Sequence, residues 1–301
     1  MPPRISIITA TYHRPEVLAY AIRAVLTQTH TDWELLVMGD HCTDHTEATV
    51  RRFEDPRVQF INLPENCGEQ SGPNNEGLRR ARGQYIAFVN HDDLWFPDHL
   101  ARALETLEAT GADLVFAPGL AVQPGGGLRI VGLAASEHYE PNVFVGASSW
   151  VFRRELLESV GEWRNFRQCY LVPSQDWLFR AWRRGADIRM LPEINWLAIM
   201  SGLRKGSYTT ASGAQEHAHW FDRMRNEPAL REEAAALLLP AAQAQLDAHP
   251  LRHPIRALRR AANRLLFRVG LNSMMLRALL RHGTPGGYIR HMRAVRGLPE
   301  K

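Results

Sequence analysis

The stretch Tyr85-Ile86-Ala87-Phe88-Val89-Asn90-His91-Asp92-Asp93 decides how the first hundred residues are interpreted. Its first five residues are apolar and have the pattern of a short buried strand, whereas its last four are polar. Adjacent carboxylates such as Asp92 and Asp93 repel each other unless a cation or hydrogen-bond donors compensate their charge. Carboxylates together with substrate phosphates are the usual ligands of Mg²⁺ and Mn²⁺. The stretch therefore predicts a metal or nucleotide site. A helix N-terminal cap, its alternative, is better supplied by Pro97 and Asp98.

Three earlier apolar runs show the same strand pattern, and helical spacing of apolar residues follows each of them. These runs are Ile5–Ile8, Leu35–Met38 and Val58–Ile61. Alternation of strands and helices at this spacing predicts βαβ units and a mostly parallel sheet flanked by helices. Such a sheet binds ligands beyond the carboxyl ends of its strands. The polar segments at those ends are Thr9–Arg14, Gly39–Asp44, Pro64–Gly68 and Asn90–Asp93. Turn and capping chemistry accounts for any one of them, but four in succession favour a binding site.

Length and composition restrict the class of protein. With 301 residues, 45% of them hydrophobic and 23% charged, the chain has ordinary globular values, which exclude disordered, collagen and coiled-coil classes. The sequence has neither an apolar run of the roughly 20 residues that span a membrane nor an apolar signal segment. The three cysteines form no CxxC pair and no disulfide framework. We therefore expect a cytoplasmic protein without structural zinc.

Charge is distributed unevenly along the chain. Residues 241–301 contain twelve Lys and Arg against two acids, a local net charge of +10, and residues 1–240 have a net charge of −6. Within residues 255–279, apolar side chains recur at helical spacing with arginines between them, which predicts a basic helical extension. Two roles are open for it. It packs on the rest of the chain or on a second copy in a homodimer, or it lies on the anionic inner face of a membrane as an interfacial helix.

The order and spacing of the motifs resemble those of family 2 glycosyltransferases of the GT-A fold over residues 4–226. The matching segments are Ile5–Arg14, Gln28–Leu35, Gly39–Thr46, Asn66–Ile86, Asp92–Leu100 and Gln175–Gly185. The resemblance implies an α/β GT-A fold, with a single Rossmann-like catalytic domain over residues 1–226 and a mostly parallel central sheet. Its nucleotide-binding half would cover about residues 1–110 and its acceptor half about residues 111–226. Residues 227–301 would form the helical, Arg-rich C-terminal extension.

The same resemblance implies roles for individual residues. Those implied at the nucleotide sugar are Thr9, Tyr12, Asp40 and Asp92. Asp93 is implied as a ligand of a divalent cation, Mn²⁺ or Mg²⁺, that bridges the diphosphate, and Asp176 as the catalytic base. Apart from the resemblance, Arg204 and Lys205 lie in a loop that either closes over the diphosphate or stays solvated.

Three positions depart from the family pattern. The family often has acids at the positions of Gly39, Asn90 and Gln175, and this chain does not. With the neutral Asn90, fewer charged ligands are present, so we expect weak metal binding in the absence of nucleotide. Gln175 removes a secondary acid but leaves Asp176 in place. If Asp176 is not the base, the next carboxylates to consider are Glu137, Glu140 and Glu162.

The residues and the resemblance together predict an inverting, metal-dependent glycosyltransferase. Its donor would be a nucleotide-diphospho-sugar, most simply a UDP-sugar, its acceptor a glycan or lipid-linked glycoconjugate, and nucleic acid is not expected as a partner. A sugar-1-phosphate nucleotidyltransferase is an alternative, although it needs a glycine-rich basic loop after the first strand and Thr9–Arg14 contains no glycine. A non-catalytic nucleotide-sugar binder is a second alternative, against which Asp92, Asp93 and Asp176 argue. A dehydrogenase is excluded because no GxGxxG follows a strand.

Overall fold

The computed structural model describes residues 2–200, 205, 207–208, 214–246, 254–299 and 301. The strands are β1 Ile5–Thr11, β2 Trp33–Gly39, β3 Val58–Asn62, β4 Tyr85–Phe88, β5 Asp93–Trp95, β6 Leu114–Phe116, β7 Gly119–Val122, β8 Leu128–Val131, β9 Val151–Arg153, β10 Ile188–Met190 and β11 Trp196–Ile199. The helices are α1 Pro15–Leu26, α2 Thr46–Arg51, α3 Ser71–Arg80, α4 His99–Thr110, α5 Leu156–Val160, α6 Pro173–Arg183, α7 Ala214–Arg225, α8 Glu227–Leu246, α9 Pro254–Arg268, α10 Ser273–His282 and α11 Gly287–Arg296.

Seven strands form the larger sheet, in the order β10-β6-β9-β4-β1-β2-β3. The pairs β1 with β2, β1 with β4, β2 with β3 and β10 with β6 are parallel. Strand β9 runs antiparallel between β4 and β6. The prediction of an α/β fold with a mostly parallel central sheet flanked by helices is confirmed.

Helices cover both faces of the larger sheet, which is why most residues of its strands are apolar. On one face, Ile7 of β1 packs with Leu18 of α1 and Leu104 of α4. On the other face, Ile8 of β1 packs with Leu78 of α3. Successive strand residues thus enter two separate cores, as the alternation of side chains in a strand requires.

A smaller sheet, in the order β5-β11-β7-β8, lies next to the site. Strand β5 begins at Asp93, which pairs with Ala198 of β11, and Leu94 and Trp95 are fully buried. From the sequence, residues 93–95 are expected to follow a strand. In the structure they form a strand themselves. Residues 90–92 therefore lie in the short link between the two sheets, and this link fixes where the carboxylates stand.

The C-terminal extension is helical, as predicted, and part of it packs on the catalytic portion of the chain. The ring of Phe267 at the end of α9 lies 5.1 Å from the ring of Trp182 in α6. Met275 of α10 and Ile289 of α11 are buried. Within the described residues, no helix combines the length and the apolar character that crossing a membrane would take.

Candidate active site

A cavity of about 310 Å³ opens at the carboxyl end of the larger sheet, beyond strands β1, β2 and β4. Tyr12 enters it after β1, Asp40 after β2 and Asp92 after β4. The smaller sheet contributes Asp93 to the same lining. The structure thus brings four of the residues singled out in the sequence into one cavity, at the edge where a parallel sheet binds its ligands.

The loop after β1 has an unusual backbone conformation. His13 and Arg14 both have positive φ angles, 53° and 60°, although neither is a glycine. Such left-handed residues are uncommon and concentrate at functional sites. The loop stacks the ring of Tyr12 on that of His13, with 4.2 Å between the ring centroids, and brings Arg14 Nη1 to 3.6 Å from Asp92 Oδ2. Its conformation therefore fixes an aromatic face and a positive charge at the cavity.

Asp40 holds the loop that follows β3. Its carboxylate accepts hydrogen bonds from the backbone N–H of Cys67 at 2.5 Å and of Gly68 at 3.2 Å, and from the side-chain amide of Asn66 at 3.1 Å. The side chain is only 4% exposed, and its burial raises the pKa of Asp40 while the hydrogen bonds lower it in part. Asp40 is thus a structural anchor for one wall of the cavity as well as part of its lining.

The two adjacent carboxylates have different environments. Asp93 Oδ2 accepts hydrogen bonds from Ser148 Oγ at 2.5 Å and from Asn90 Nδ2 at 2.8 Å, and the side chain is buried. Burial, together with the charge of Asp92, raises the pKa of Asp93 to about 8. The side chain of Asp92 is 21% exposed and faces Arg14. The pKa of Asp93 is thus raised and that of Asp92 lowered, which makes Asp92 the more acidic member of the pair.

Asp92 and Asp93 fit a divalent cation whose other ligands are supplied by phosphates and water. In the part of the chain that the structure describes, no three His, Cys, Asp or Glu side chains are grouped as a complete metal site. However, burial and the charge of the neighbouring Asp92 raise the pKa of Asp93, and a bound cation would stabilise both carboxylates in their charged form. Mg²⁺ and Mn²⁺ bound to nucleotides need only one or two carboxylates, because phosphates and water supply the other ligands. Asp92 and Asp93 would hold such an ion.

Thr9 is not brought into the cavity. Its side chain is 1% exposed inside the larger sheet, and the described lining begins with Ala10, Thr11 and Tyr12. The reason is that the cavity opens beyond the end of β1, whose last residue is Thr11. Thr11 lies on the same face of the strand as Thr9 and lines the cavity, and a role of Thr9 at the nucleotide stays a prediction.

Asp176 lies in the first turn of α6, next to the cavity. Its carboxylate accepts a hydrogen bond from Arg180 Nε at 2.9 Å and pairs with Arg164 Nη1 at 3.4 Å. Val172 and Ser174 of the same segment line the cavity, but Asp176 is absent from the lining that the described residues form. Its assignment as the base stays a prediction.

The predicted basic loop is only partly described. Lys205 is exposed in a turn and, among described residues, is not part of the cavity lining. Arg204 lies outside the described residues. Closure of this loop over a diphosphate stays a prediction.

Glu69 and Arg296 are two of the lining residues that were not predicted from the sequence. Glu69 follows the loop that Asp40 holds, and burial raises its pKa to about 7 although the N–H of Ser71 donates to it at 2.8 Å. Arg296 enters the cavity from α11, far away in the sequence. The position of Glu69 beside Gly68, in a segment already identified as polar, was a usable signal. The sequence contains no such signal for Arg296, because its neighbouring residues do not distinguish it from the other arginines of the extension.

Comparisons with known proteins give the same family as the motifs. The curated relatives include the succinoglycan biosynthesis protein ExoO of Rhizobium meliloti (strain 1021), 36% identical over 112 residues, which are 37% of this chain and 32% of that protein. They also include the UDP-Glc:alpha-D-GlcNAc-diphosphoundecaprenol beta-1,3-glucosyltransferase WfgD of Escherichia coli, 35% identical over 96 residues, 32% of this chain and 38% of that protein. The chain therefore matches about two fifths or less of the length of these relatives.

A solved structure extends the likeness of fold over almost the whole chain. The mannosyltransferase PcManGT from Pyrobaculum calidifontis, in complex with GDP-Man and Mn²⁺, superposes with a TM-score of 0.54. The superposition covers 98% of this chain and 87% of that one at 18% sequence identity. The sequence pattern of Glycosyl transferase family 2 matches residues 6–161, which is more than half of the chain. Since this segment contains β1 to β4 together with Asp40, Asp92 and Asp93, the chain belongs to glycosyl transferase family 2.

Proposed function

We propose that this protein transfers a sugar from a nucleotide-diphospho-sugar to an acceptor hydroxyl, with inversion at the anomeric carbon. The observation that supports this most is the convergence of Tyr12, Asp40, Asp92 and Asp93 on one cavity. Its volume of about 310 Å³ is at the small end of the range for ligand pockets. A UDP-sugar is the donor we expect first, because the name of WfgD specifies UDP-Glc.

Departure of the nucleoside diphosphate requires positive charge where negative charge develops. Asp92 and Asp93 would hold a divalent cation, which when bound neutralises the leaving diphosphate. Arg14 already lies 3.6 Å from Asp92, so it adds a fixed positive charge to the same side of the cavity. Release of the proton from Asp93 would accompany cation binding, since the bound form needs the carboxylate.

Attack by the acceptor hydroxyl requires a base that accepts its proton. Asp176 is the base we propose, because Val172 and Ser174 from the start of the same helix line the cavity where an acceptor would enter. Arg180 and Arg164 hold the carboxylate of Asp176 in one orientation. A base so placed contributes about 10²-fold or more to the rate.

A donor screen tests this function. Isothermal titration calorimetry with UDP, GDP and dTDP, and with their sugars, should identify one nucleotide that binds more tightly with Mn²⁺ than with EDTA. A ligand also stabilises the folded protein according to its concentration relative to its Kd, so thermal unfolding provides a second reading. Absence of binding by every nucleotide would refute the proposed activity. Release of pyrophosphate in place of a nucleoside diphosphate would favour the nucleotidyltransferase.

For the acceptor, we propose a lipid-linked glycan reached at an anionic membrane surface on the cytoplasmic side. Leu258, Leu265 and Val269 of the α9 region are 72%, 63% and 72% exposed, in a segment whose net charge is strongly positive. Each basic residue near an anionic surface contributes about 1 kcal/mol to binding. The name of WfgD, a diphosphoundecaprenol glucosyltransferase, supports an acceptor of this class.

Flotation with liposomes tests the membrane contact. The full chain should float with anionic vesicles at low salt and be released as salt is added. Replacing Leu258 and Leu265 by Ser should abolish flotation, whereas Leu239→Ser, at an equally exposed site on α8, should not. If both variants float equally, or if the wild type does not float, the membrane contact is refuted. Helix α9 would then be a packing element or a dimer contact.

A further inference from the structure

Helix α11 of the C-terminal extension forms part of the wall of the candidate donor cavity. Its residues Ile289, Met292, Arg293 and Arg296 line the same space as Tyr12 and Asp40. The family pattern ends at residue 161, so this wall lies outside the part of the chain that the family assignment covers.

The C-terminal segment is bonded directly to the loop that Asp40 holds. Arg293 is 7% exposed and donates to the carbonyl of Gly68, and Lys301 Nζ donates to the carbonyl of Asn66 at 2.7 Å. Asp40 accepts from the N–H of Gly68 on the same loop. The loop is therefore held through its N–H groups by the catalytic domain and through its carbonyls by the extension, which fixes α11 relative to the cavity.

Arg293 and Arg296 have different surroundings on α11. The guanidinium of Arg293 also donates to the carbonyl of Pro299, at 2.7 and 3.1 Å, so it serves to fix the chain. Arg296 is half-buried, lines the cavity, and is joined through its carbonyl to the N–H of Tyr208 at 3.4 Å. Tyr208 lies 5.2 Å from the guanidinium of Arg14. Arg14 thus lies over the ring of Tyr208, and Arg296 contacts the backbone of the same residue.

Arg296 lines the same cavity as Asp92 and Asp93, and Arg14 Nη1 lies 3.6 Å from Asp92 Oδ2. The cavity therefore places guanidinium charge on the side where Asp92 lies.

We propose, on the basis of the glycosyl transfer proposed above, that Arg296 binds the diphosphate of the donor, so that the donor site is built jointly by the catalytic domain and the C-terminal extension. A guanidinium suits this task because it donates two parallel hydrogen bonds to phosphate oxygens and keeps its charge at every physiological pH. Arg293 is a positioning residue, since it acts through the backbone of Gly68.

Calorimetry on the full chain with UDP and with uridine tests this assignment, because the two ligands differ by the diphosphate. Arg296→Gln should weaken UDP binding by about tenfold or more and leave uridine binding unchanged. Arg296→Lys, which retains the charge, should lose less. The matched control is Arg290→Gln on the same helix: Arg290 is exposed, donates to Thr284 Oγ1 at 2.8 Å and is not in the described lining.

The outcomes separate this assignment from the proposed function. Unchanged UDP affinity in Arg296→Gln, with normal binding by the wild type, refutes the role of Arg296 alone. Equal loss of UDP and uridine binding also refutes it, because the side chain would then shape the cavity without contacting the diphosphate. If GDP is the nucleotide that the wild type binds, GDP and guanosine replace the pair. A wild type that binds none of these nucleotides refutes the proposed function itself.

Discussion

Replacing Asp176 by Asn separates the two tasks that its carboxylate could perform. Arg180 Nε lies 2.9 Å from one carboxylate oxygen and Arg164 Nη1 lies 3.4 Å from the other. Asn keeps the size of the side chain, but it removes the negative charge and the basicity. A base role predicts a loss of rate, whereas a purely structural role predicts a loss of stability.

The size of each effect follows from exposure. The side chain of Arg180 is 12% exposed and that of Asp176 is 9% exposed, so neither group is well solvated once the pair is broken. Leaving a buried charged partner unsatisfied costs about 1–3 kcal/mol. The side chain of Arg164 is 53% exposed, and its contribution should be below about 1 kcal/mol. We therefore expect Asp176→Asn to lower the free energy of unfolding by about 1–3 kcal/mol and kcat by about 10²-fold or more.

Denaturant unfolding and nucleotide release from the donor sugar measure these two quantities. Arg164→Gln is the matched control, since it removes the exposed ion-pair partner and keeps the carboxylate. It should retain the wild-type rate and lose little stability. A wild-type rate in Asp176→Asn, under conditions where the variant is folded, would refute the base assignment. Of the remaining carboxylates, Glu69 would then be tested first, because it lines the cavity, while Glu162 is bound to Arg79 at 2.7 Å.

Three further outcomes are expected. Asp93→Asn should remove the Mn²⁺ dependence of UDP binding in calorimetry. It should change stability little, because burial and the charge of Asp92 already disfavour the charged form of Asp93; unchanged metal dependence would move the ligand role to Asp92 alone. Burial raises the pKa of Glu69 from 4.5 to about 7, so the folded protein retains a proton that the unfolded chain releases, and stability should fall as pH rises across that interval. Glu69→Gln should flatten this part of the unfolding profile by about 1 kcal/mol or more, and an identical slope would contradict the assignment. Gly77→Ala should lower the free energy of unfolding by about 1–3 kcal/mol, because a Cβ there would lie 2.6 Å from Ile8 Cγ2. Denaturant unfolding measures this change. Wild-type stability would show that this contact relaxes at no cost.

The first strands of the larger sheet could be predicted because β1 and β2 are buried almost throughout and β3 is partly buried. An apolar run such as Ile5–Ile8 has few alternatives when helical periodicity follows it, and the polar residue after each run marks the strand end. The smaller sheet could not be predicted in the same way. Its strand β5 has three residues and its pairing with β11 spans about a hundred residues, so local pattern does not specify it. Likewise, the segment of β9 reads as a strand, but its antiparallel insertion between β4 and β6 depends on tertiary packing.

The candidate site could also be predicted only in part, because the pKa of a side chain depends on its tertiary environment. Asp40 and Asp92 could be placed at the cavity, because the sequence shows which residues follow strands. The difference between Asp92 and Asp93 could not, since the raised pKa of Asp93 depends on its burial, against which the hydrogen bond from the distant Ser148 acts only in part. The motif does not show where β1 ends, and it is the end of β1 at Thr11 that determines which residues of this segment line the cavity.

The uneven charge of the chain has a simpler explanation than a tail with a separate task. The net charge is −6 in residues 1–240 and +10 in residues 241–301, and packing on the rest of the chain is one of the two roles expected for the basic part. In the structure, Arg293 of the basic part is buried against the loop that Asp40 holds, and Arg296 lies in the cavity with Asp92. Opposite charges at one site attract over about 10 Å at moderate salt, which favours docking of α11 on the catalytic domain. The acidic body and the basic tail are therefore complementary at this cavity, and the exposed apolar side chains of α9 are the part of the extension that remains available for a membrane.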